Sequence, residues 1–227
     1  MNKIIKYFTK QEIILWLSST ILILISFILF DKTNYLTLLA SIIGVTSLIF
    51  SAKGNPIGQV LMVIFSLLYG IISYTFRYYG EMITYLGMTL PMAIVALISW
   101  LRNPYLGNKA EVKVNTISFK ETYFMFVLTL IITAIFYFIL KYFNTTNLIP
   151  STISVTTSFL AVYLTFRRSP YFALAYALND IVLIYLWVSA SFIKISYISV
   201  VVCFVAFFFN DIYGFINWNK IKKLQEK

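Results

Sequence analysis

The last apolar run of the chain ends on the sequence NDIYGFINW, residues 210–218, which places an acid and amides where hydrocarbon side chains are expected. In a helix, its polar and aromatic residues divide between two adjacent faces, with Asn210, Tyr213 and Asn217 on one and Asp211, Phe215 and Trp218 on the other. A carboxylate at membrane depth costs several kcal/mol unless it faces protein or water. The stretch therefore predicts part of a polar binding pocket. The structural alternative is an Asn–Asp pair that holds helices together.

The composition is that of an integral membrane protein. Hydrophobic residues make up 60% of the 227 residues and charged residues only 11%. The chain has no histidine and a single cysteine, Cys203, which removes the commonest metal ligand and any disulfide framework. An intramembrane enzyme would need a nucleophile–base pair or a metal set, so we expect no catalytic residues, no metal and no cofactor. A retinal photoreceptor would need a mid-span lysine, whereas Lys141 lies at the end of a run.

Eight apolar runs approach the roughly 20 residues that a helix needs to cross the hydrocarbon core. They cover residues 13–30, 36–52, 57–76, 81–101, 122–143, 149–166, 171–190 and 195–217. Turn-forming residues separate them, as in Gly54-Asn55-Pro56 and Ser169-Pro170. The alternating ten-residue pattern of a membrane β-barrel is missing. The sequence predicts an all-α membrane protein with eight transmembrane helices.

The basic residues predict the orientation. With eight spans, fourteen of the 18 lysines and arginines fall on the side that holds both termini; the other four are Lys32, Arg77, Lys141 and Lys194. By the positive-inside rule, both termini of this multi-pass protein are cytoplasmic. The net charge of +10 is then a topology signal. We expect membrane lipid, and not nucleic acid, to surround or bind this chain.

The spacing of prolines and tryptophans predicts an internal repeat. The interval from Pro56 to Trp100 is 44 residues, and the interval from Pro170 to Trp218 is 48 residues. We predict an extra N-terminal helix at 13–30, a three-helix repeat at 36–101, a connecting helix at 122–143 and a second repeat at 149–217, within one transporter domain that covers 1–227. Because three is odd, the connecting helix lets both repeats enter the membrane from the same side. Transporters built from parallel repeats bind their substrates between the repeats, near the membrane midplane.

Polar residues in the last two spans predict the site itself. Asp180 lies ten residues into its run, about 15 Å deep at 1.5 Å per residue. In the first repeat, Met92 and Ala93 occupy the positions of Asn210 and Asp211, so no acid matches there. We predict substrate binding by Gln59, Asn179, Asp180, Trp187, Asn210, Asp211, Tyr213, Asn217 and Trp218.

Each of these residue types suits a different part of a substrate. Trp187, Tyr213 and Trp218 would stack on a ring or form the walls of the pocket. The amides of Gln59 and of the three asparagines would bind hydroxyl and amide groups. The two acids would neutralise a cation or hold the asparagines in place. A structural or assembly protein without transport activity stays the alternative class.

Taken together, these features resemble PnuC-type transporters. The sequences that carry the resemblance are NDIYGFINW at 210–218, ISWLRNP at 98–104 and the plan of three, one and three helices after an extra first helix. Where members of that family have a Trp-x-x-Trp signature, this chain has Phe215-x-x-Trp218 and Ile184-x-x-Trp187. The resemblance implies an architecture like that of the SWEET sugar carriers.

The same resemblance implies a function and an assembly. It implies uptake of nicotinamide riboside by facilitated diffusion, with a cytoplasmic kinase that traps the substrate. It also implies a homotrimer in a bacterial plasma membrane. Relatives carry thiamine or riboflavin, so these two vitamins stay open as alternative substrates.

Overall fold

The computed structural model describes residues 7–75 and 78–227. Lys3, Lys6 and Arg77, which entered the charge count, lie outside the described residues, as does residue 76, the predicted end of the third span.

Within the described residues, eight helices are long and apolar enough to cross a membrane, as the hydropathy pattern predicts. They are α1 (Lys10–Phe30), α2 (Tyr35–Ala52), α3 (Ile57–Thr75), α4 (Tyr79–Arg102), α5 (Phe119–Tyr142), α6 (Leu148–Phe166), α7 (Tyr171–Ser191) and α8 (Ile195–Gln225). The chain therefore folds as an all-α membrane protein in which α1 begins and α8 ends on the same face, here called the face that holds the termini. We call the opposite face the far face.

Polar contacts extend two of the helices, α1 and α8, beyond the apolar runs. α1 begins at Lys10, since Thr9 caps it and exchanges hydrogen bonds with Glu12 in a capping box. α8 continues to Gln225, eight residues beyond the predicted end at residue 217. The Gln225 side chain accepts a hydrogen bond from the backbone N–H of Val114 at 2.8 Å, which anchors this polar extension to the long loop after α4.

That loop contains a β-hairpin that the sequence analysis does not predict. β1 (Pro104–Tyr105) and β2 (Asn108–Val112) pair antiparallel across a two-residue turn. Both turn residues, Leu106 and Gly107, have positive φ angles of 47° and 78°, as a tight hairpin turn of this hand requires. Leucine is an unusual residue for that conformation, so the turn carries little sequence signal.

α4 is not a uniform α-helix. Residues Tyr85–Thr89 form one π-helical turn between two α-helical segments. Such a turn inserts an extra residue and rotates the side chains on either side of it relative to each other, and it is frequent at functional sites.

Matching contacts join the two proposed repeats at the face that holds the termini. The indole N–H of Trp100 donates to the Thr165 carbonyl at 2.9 Å, and that of Trp218 donates to the Ser51 carbonyl at 2.7 Å. Ser51 and Thr165 occupy the same place in their repeats, each five residues before the proline that opens the next helix. Each repeat thus donates an indole hydrogen bond to the other, which supports the proposed internal symmetry.

The turns after α2 and α6 match as well. Gly54 and Arg168 have positive φ angles of 66° and 57°. Their carbonyls accept hydrogen bonds from the backbone N–H groups of Val112 at 2.9 Å and Asn115 at 3.0 Å. The loop after α4 therefore binds both turns through backbone groups only three residues apart.

Candidate functional site

A narrow cavity lies in the interior, among α2, α3, α4, α6, α7 and α8. Its lining residues are Leu48, Met62, Phe65, Tyr85, Thr89, Ser158, Tyr176, Asn179, Asp180, Phe204, Phe207 and Asp211. Helices from both proposed repeats contribute to this central cavity. Its volume open to the centres of water molecules is about 20 Å³, enough for about one water. Binding of an organic substrate therefore requires the lining side chains to move apart.

Two carboxyl groups face each other in the central cavity. Asp180 on α7 and Asp211 on α8 are 3% and 4% exposed, and their side chains interact directly. Oδ2 of Asp180 has no hydrogen-bond partner within residues 7–75 and 78–227. The lining contains no lysine or arginine. Two carboxyl groups in direct contact share a proton when no cation is present, and a cation bound beside them would favour the ionised form of both.

Asn179, next to Asp180, also lines the central cavity. Its Oδ1 accepts hydrogen bonds from the hydroxyls of Ser154 at 3.3 Å, Thr157 at 2.8 Å and Ser158 at 3.0 Å, all on α6. These hydroxyls belong to the serine- and threonine-rich sixth span. Because Oδ1 is occupied, the amide NH₂ of Asn179 is the group that remains for a ligand, and it is a donor.

Four of the predicted residues on α8 contact neighbouring helices. Asn210 donates to the hydroxyl of Ser19 on α1 at 2.9 Å, and the Tyr213 hydroxyl donates to Oε1 of Glu12 at 3.1 Å. Asn217 donates to the Ala52 carbonyl at 2.9 Å, next to the bond that Trp218 makes with Ser51. Their contacts therefore fit a structural role that is broader than the Asn–Asp pair of the structural alternative, because amides and aromatics also hold helices together here.

Gln59 and Trp187 lie on opposite sides of the central cavity. Nε2 of Gln59 donates to the hydroxyl of Ser51 at 3.2 Å, near the face that holds the termini. Trp187 belongs to a group of rings toward the far face. We call this group the outer aromatic cluster; its members are Tyr69, Tyr78, Tyr85, Trp187 and Tyr197.

The structure brings Asn179, Asp180 and Asp211 together and adds residues that the sequence analysis leaves out. Tyr85 and Thr89 come from the π-helical turn of α4, which carries no clear sequence signal. Tyr176 lies one helical turn before Asp180 and shares its face, so helical spacing alone is sufficient to place it in the site. Apart from Ser158, the remaining lining residues are apolar side chains of the kind found in any buried helix contact.

Within the described part of the chain, no group of three or more cysteine, aspartate or glutamate residues is placed to hold a metal ion. The two aspartates of the central cavity are thus a pair without a third acidic ligand nearby.

Comparison with known proteins identifies related transporters. Residues 34–220 match the family described as nicotinamide mononucleotide transporter. The nicotinamide riboside transporter PnuC of Neisseria mucosa is 27% identical over 199 residues, which cover 86% of this chain and 75% of that protein. A crystal structure of the vitamin B3 transporter PnuC has the same fold, with a TM-score of 0.82 and 24% identity over 96% of this chain and 94% of that one.

Proposed function

The chain belongs to the nicotinamide mononucleotide transporter family, and on this premise we propose that it takes up nicotinamide riboside across the bacterial plasma membrane. The observation that carries the proposal is the pair of facing carboxyl groups, Asp180 and Asp211, in a cavity lined by both halves of the molecule. Nicotinamide riboside has a pyridinium cation, which carboxylates and aromatic faces attract.

The same geometry disfavours a phosphorylated substrate. Nicotinamide mononucleotide carries a phosphate, for which proteins provide arginine, lysine or helix N-termini. The central cavity presents two acids and no basic side chain to such a group. We therefore propose the nucleoside as the substrate, despite the description of the family.

We propose that Asn179, Asp180 and Asp211 contact the substrate directly. The acids face the pyridinium ring, while the amide NH₂ of Asn179 binds a ribose hydroxyl or the carboxamide oxygen. Tyr85 and Tyr176 supply ring faces. The other predicted residues, Gln59, Trp187, Asn210, Tyr213, Asn217 and Trp218, support the helices that carry these groups or form the route to them.

Transport is proposed to be facilitated diffusion. The sequence contains no phosphate-binding loop of the type Gly-x-x-x-x-Gly-Lys-Ser/Thr, with which many transport ATPases bind nucleotide. Phosphorylation by a cytoplasmic kinase would trap the substrate, because the acid pair disfavours return of the phosphorylated product. Accumulation of unmodified substrate above its outside concentration in sealed vesicles, or uptake that scales with an imposed proton gradient, would contradict this part of the proposal.

Uptake into proteoliposomes tests the substrate assignment. The purified protein is reconstituted, and initial uptake of nicotinamide riboside, thiamine and riboflavin is measured against protein-free liposomes. We expect nicotinamide riboside to enter fastest. Thiamine is the second candidate because it is also a cationic heteroaromatic ring, whereas riboflavin is uncharged and bulkier. Uptake of riboflavin alone, or of none of the three, would overturn the proposal.

A further inference from the structure

The outer aromatic cluster separates the central cavity from the far face. Tyr85, which lines the cavity, has its ring centroid 4.3 Å from that of Tyr69, and Tyr69 lies 6.2 Å from Trp187. Trp187 contacts Tyr78 at 4.9 Å and Tyr197 at 5.4 Å, at the far-face ends of α4 and α8. The ring contacts are thus continuous from the far face to the cavity. A substrate that enters the cavity from the far face has to pass between these rings.

A buried carboxyl group lies beside this path. Glu81, in the first turn of α4, is 5% exposed, and its Oε2 has no hydrogen-bond partner among the residues that the structure describes. Tyr78 lies three residues before Glu81 and Tyr85 four residues after it, a spacing that places all three on one side of this helical segment. A buried carboxylate without a partner costs far more than it contributes to folding, so its presence in a span is evidence for a functional role.

The chemistry of this site is the same as that of the central cavity. Aromatic faces bind cations through their negative quadrupole, and a carboxylate behind the rings increases the attraction. Tyr85 belongs to both places, because it lines the central cavity and contacts the outer rings. A ligand that leaves the outer aromatic cluster would therefore meet the central cavity at Tyr85.

We propose that Glu81 and the outer aromatic cluster form a second, outer binding site for a cationic heteroaromatic substrate on its way to Asp180 and Asp211. Acids at both positions let the cation move in two steps, each ending beside a carboxylate. This inference rests on the proposed function, because it requires a cationic substrate. It adds an acid from the first repeat, Glu81, at the beginning of an apolar run.

The test compares two substrates of almost the same shape and different charge. Nicotinamide riboside is a pyridinium cation, and its reduced dihydro form is uncharged at the ring. Initial uptake of both is measured in proteoliposomes with wild-type protein, Glu81→Gln and Glu81→Asp, and the affinity of each purified protein for nicotinamide riboside is measured by titration calorimetry. Asp31→Asn is the matched control, since Asp31 is a far-face acid with partners of its own, the Ser199 hydroxyl at 3.5 Å and the charge of Lys194.

We expect Glu81→Gln to slow uptake of the cation about tenfold, the change that loss of one attraction of about 1.4 kcal/mol produces. Its affinity at the central cavity and its uptake of the reduced form should stay within about twofold of wild type. Glu81→Asp should recover part of the rate, and Asp31→Asn should behave as wild type.

Three results would overturn the proposal. Equal losses of uptake for both substrates in Glu81→Gln would show a structural role, and unchanged uptake of the cation would show no role. A loss of affinity as large as the loss of uptake would place Glu81 in the central cavity. Absence of nicotinamide riboside uptake by the wild type would instead refute the proposed function.

Discussion

Asp180 and Asp211 are the two residues on which the proposed function depends. Both are buried in the central cavity, and the cavity lining includes no basic residue. We predict that Asp180→Asn and Asp211→Asn each weaken nicotinamide riboside binding about tenfold or more, because each removes a carboxyl group whose ionised form attracts the pyridinium ring. Thermal stability should be unchanged or higher, since an amide is cheaper to bury than a carboxylate. Titration calorimetry and thermal melts on the same purified variants measure both quantities.

The control for this pair is Tyr213→Phe. Tyr213 lies on the same helix as Asp211, but its hydroxyl donates to Glu12 and does not line the central cavity. Wild-type affinity in Tyr213→Phe together with weaker binding in the aspartate variants would support the assignment. Wild-type affinity in both aspartate variants would show that the central cavity is not the substrate-binding site.

Trp218 shows how the structure changes the interpretation of a single residue. Its side chain is fully buried, with its indole N–H on the Ser51 carbonyl and its ring 5.4 Å from Trp100. We predict that Trp218→Phe keeps most of the ring packing, leaves the Ser51 carbonyl with its bond from the backbone N–H of Gly54 at 2.9 Å, and costs about 0.5–1.5 kcal/mol of stability for the lost indole bond. Substrate affinity in the folded protein should not change.

Trp100→Phe is the matched variant, because Trp100 makes the same bond to Thr165 in the other half. The two variants should destabilise the protein by similar amounts in thermal melts. A loss of affinity in Trp218→Phe with unchanged stability would restore Trp218 to the binding site.

At the scale of secondary-structure elements, α1 is held to the rest of the protein by a buried ion pair. Glu12 on α1 is 1% exposed and lies 3.2 Å from Nζ of Lys53, in the turn after α2. We predict that Glu12→Gln costs about 3 kcal/mol, because it leaves the lysine charge poorly compensated in a buried place. The melting temperature should fall by roughly 6–12 °C, at about 2–4 °C per kcal/mol for a chain of this size.

The control for the ion pair is Glu226→Gln. Glu226 pairs with Lys222 at 3.7 Å within the exposed end of α8, where ion pairs contribute little. Equal melting temperatures for Glu12→Gln and Glu226→Gln would show that the buried pair does not hold α1.

The sequence predicts which segments are helical better than where the helices end. Runs of apolar residues identify all eight spans because only helices of that length satisfy their backbone groups in hydrocarbon. Polar contacts then decide the ends: Thr9 and Glu12 start α1 early, and Gln225 extends α8. Hydropathy does not report such contacts. For the same reason it gives no sign of the π-helical turn in α4.

At the scale of the whole molecule, both termini and the basic loops should lie in the cytoplasm. We predict that a cysteine in place of Thr146, exposed between α5 and α6, reacts with a membrane-impermeant thiol reagent on intact cells. A cysteine in place of Lys109, exposed in the hairpin loop, should react only after the cells are permeabilised. The native Cys203 is buried and is replaced by alanine in both variants. The reverse labelling pattern would show that the orientation is opposite, with both termini outside the cytoplasm.

The site could be predicted only in part, because helical periodicity gives the face of a residue and not its neighbour. Asp180, Asp211 and Asn179 are recognisable as polar groups inside apolar runs, and they meet in the central cavity. Asn217 and Trp218 share faces with Asn210 and Asp211, yet they contact the end of α2. Glu81 begins an apolar run and so resembles a solvated helix end. Its burial follows only from how α4 packs against the other helices.

The most direct test of the central claim, that the acid pair binds a cationic nucleoside, is a titration of the purified protein with nicotinamide riboside and with nicotinamide mononucleotide. The two ligands share the pyridinium ring and differ by the phosphate. We predict that the nucleoside binds at least about a hundredfold more tightly, because the phosphate would meet two carboxyl groups and no basic side chain. Equal affinities, or tighter binding of the mononucleotide, would contradict the account.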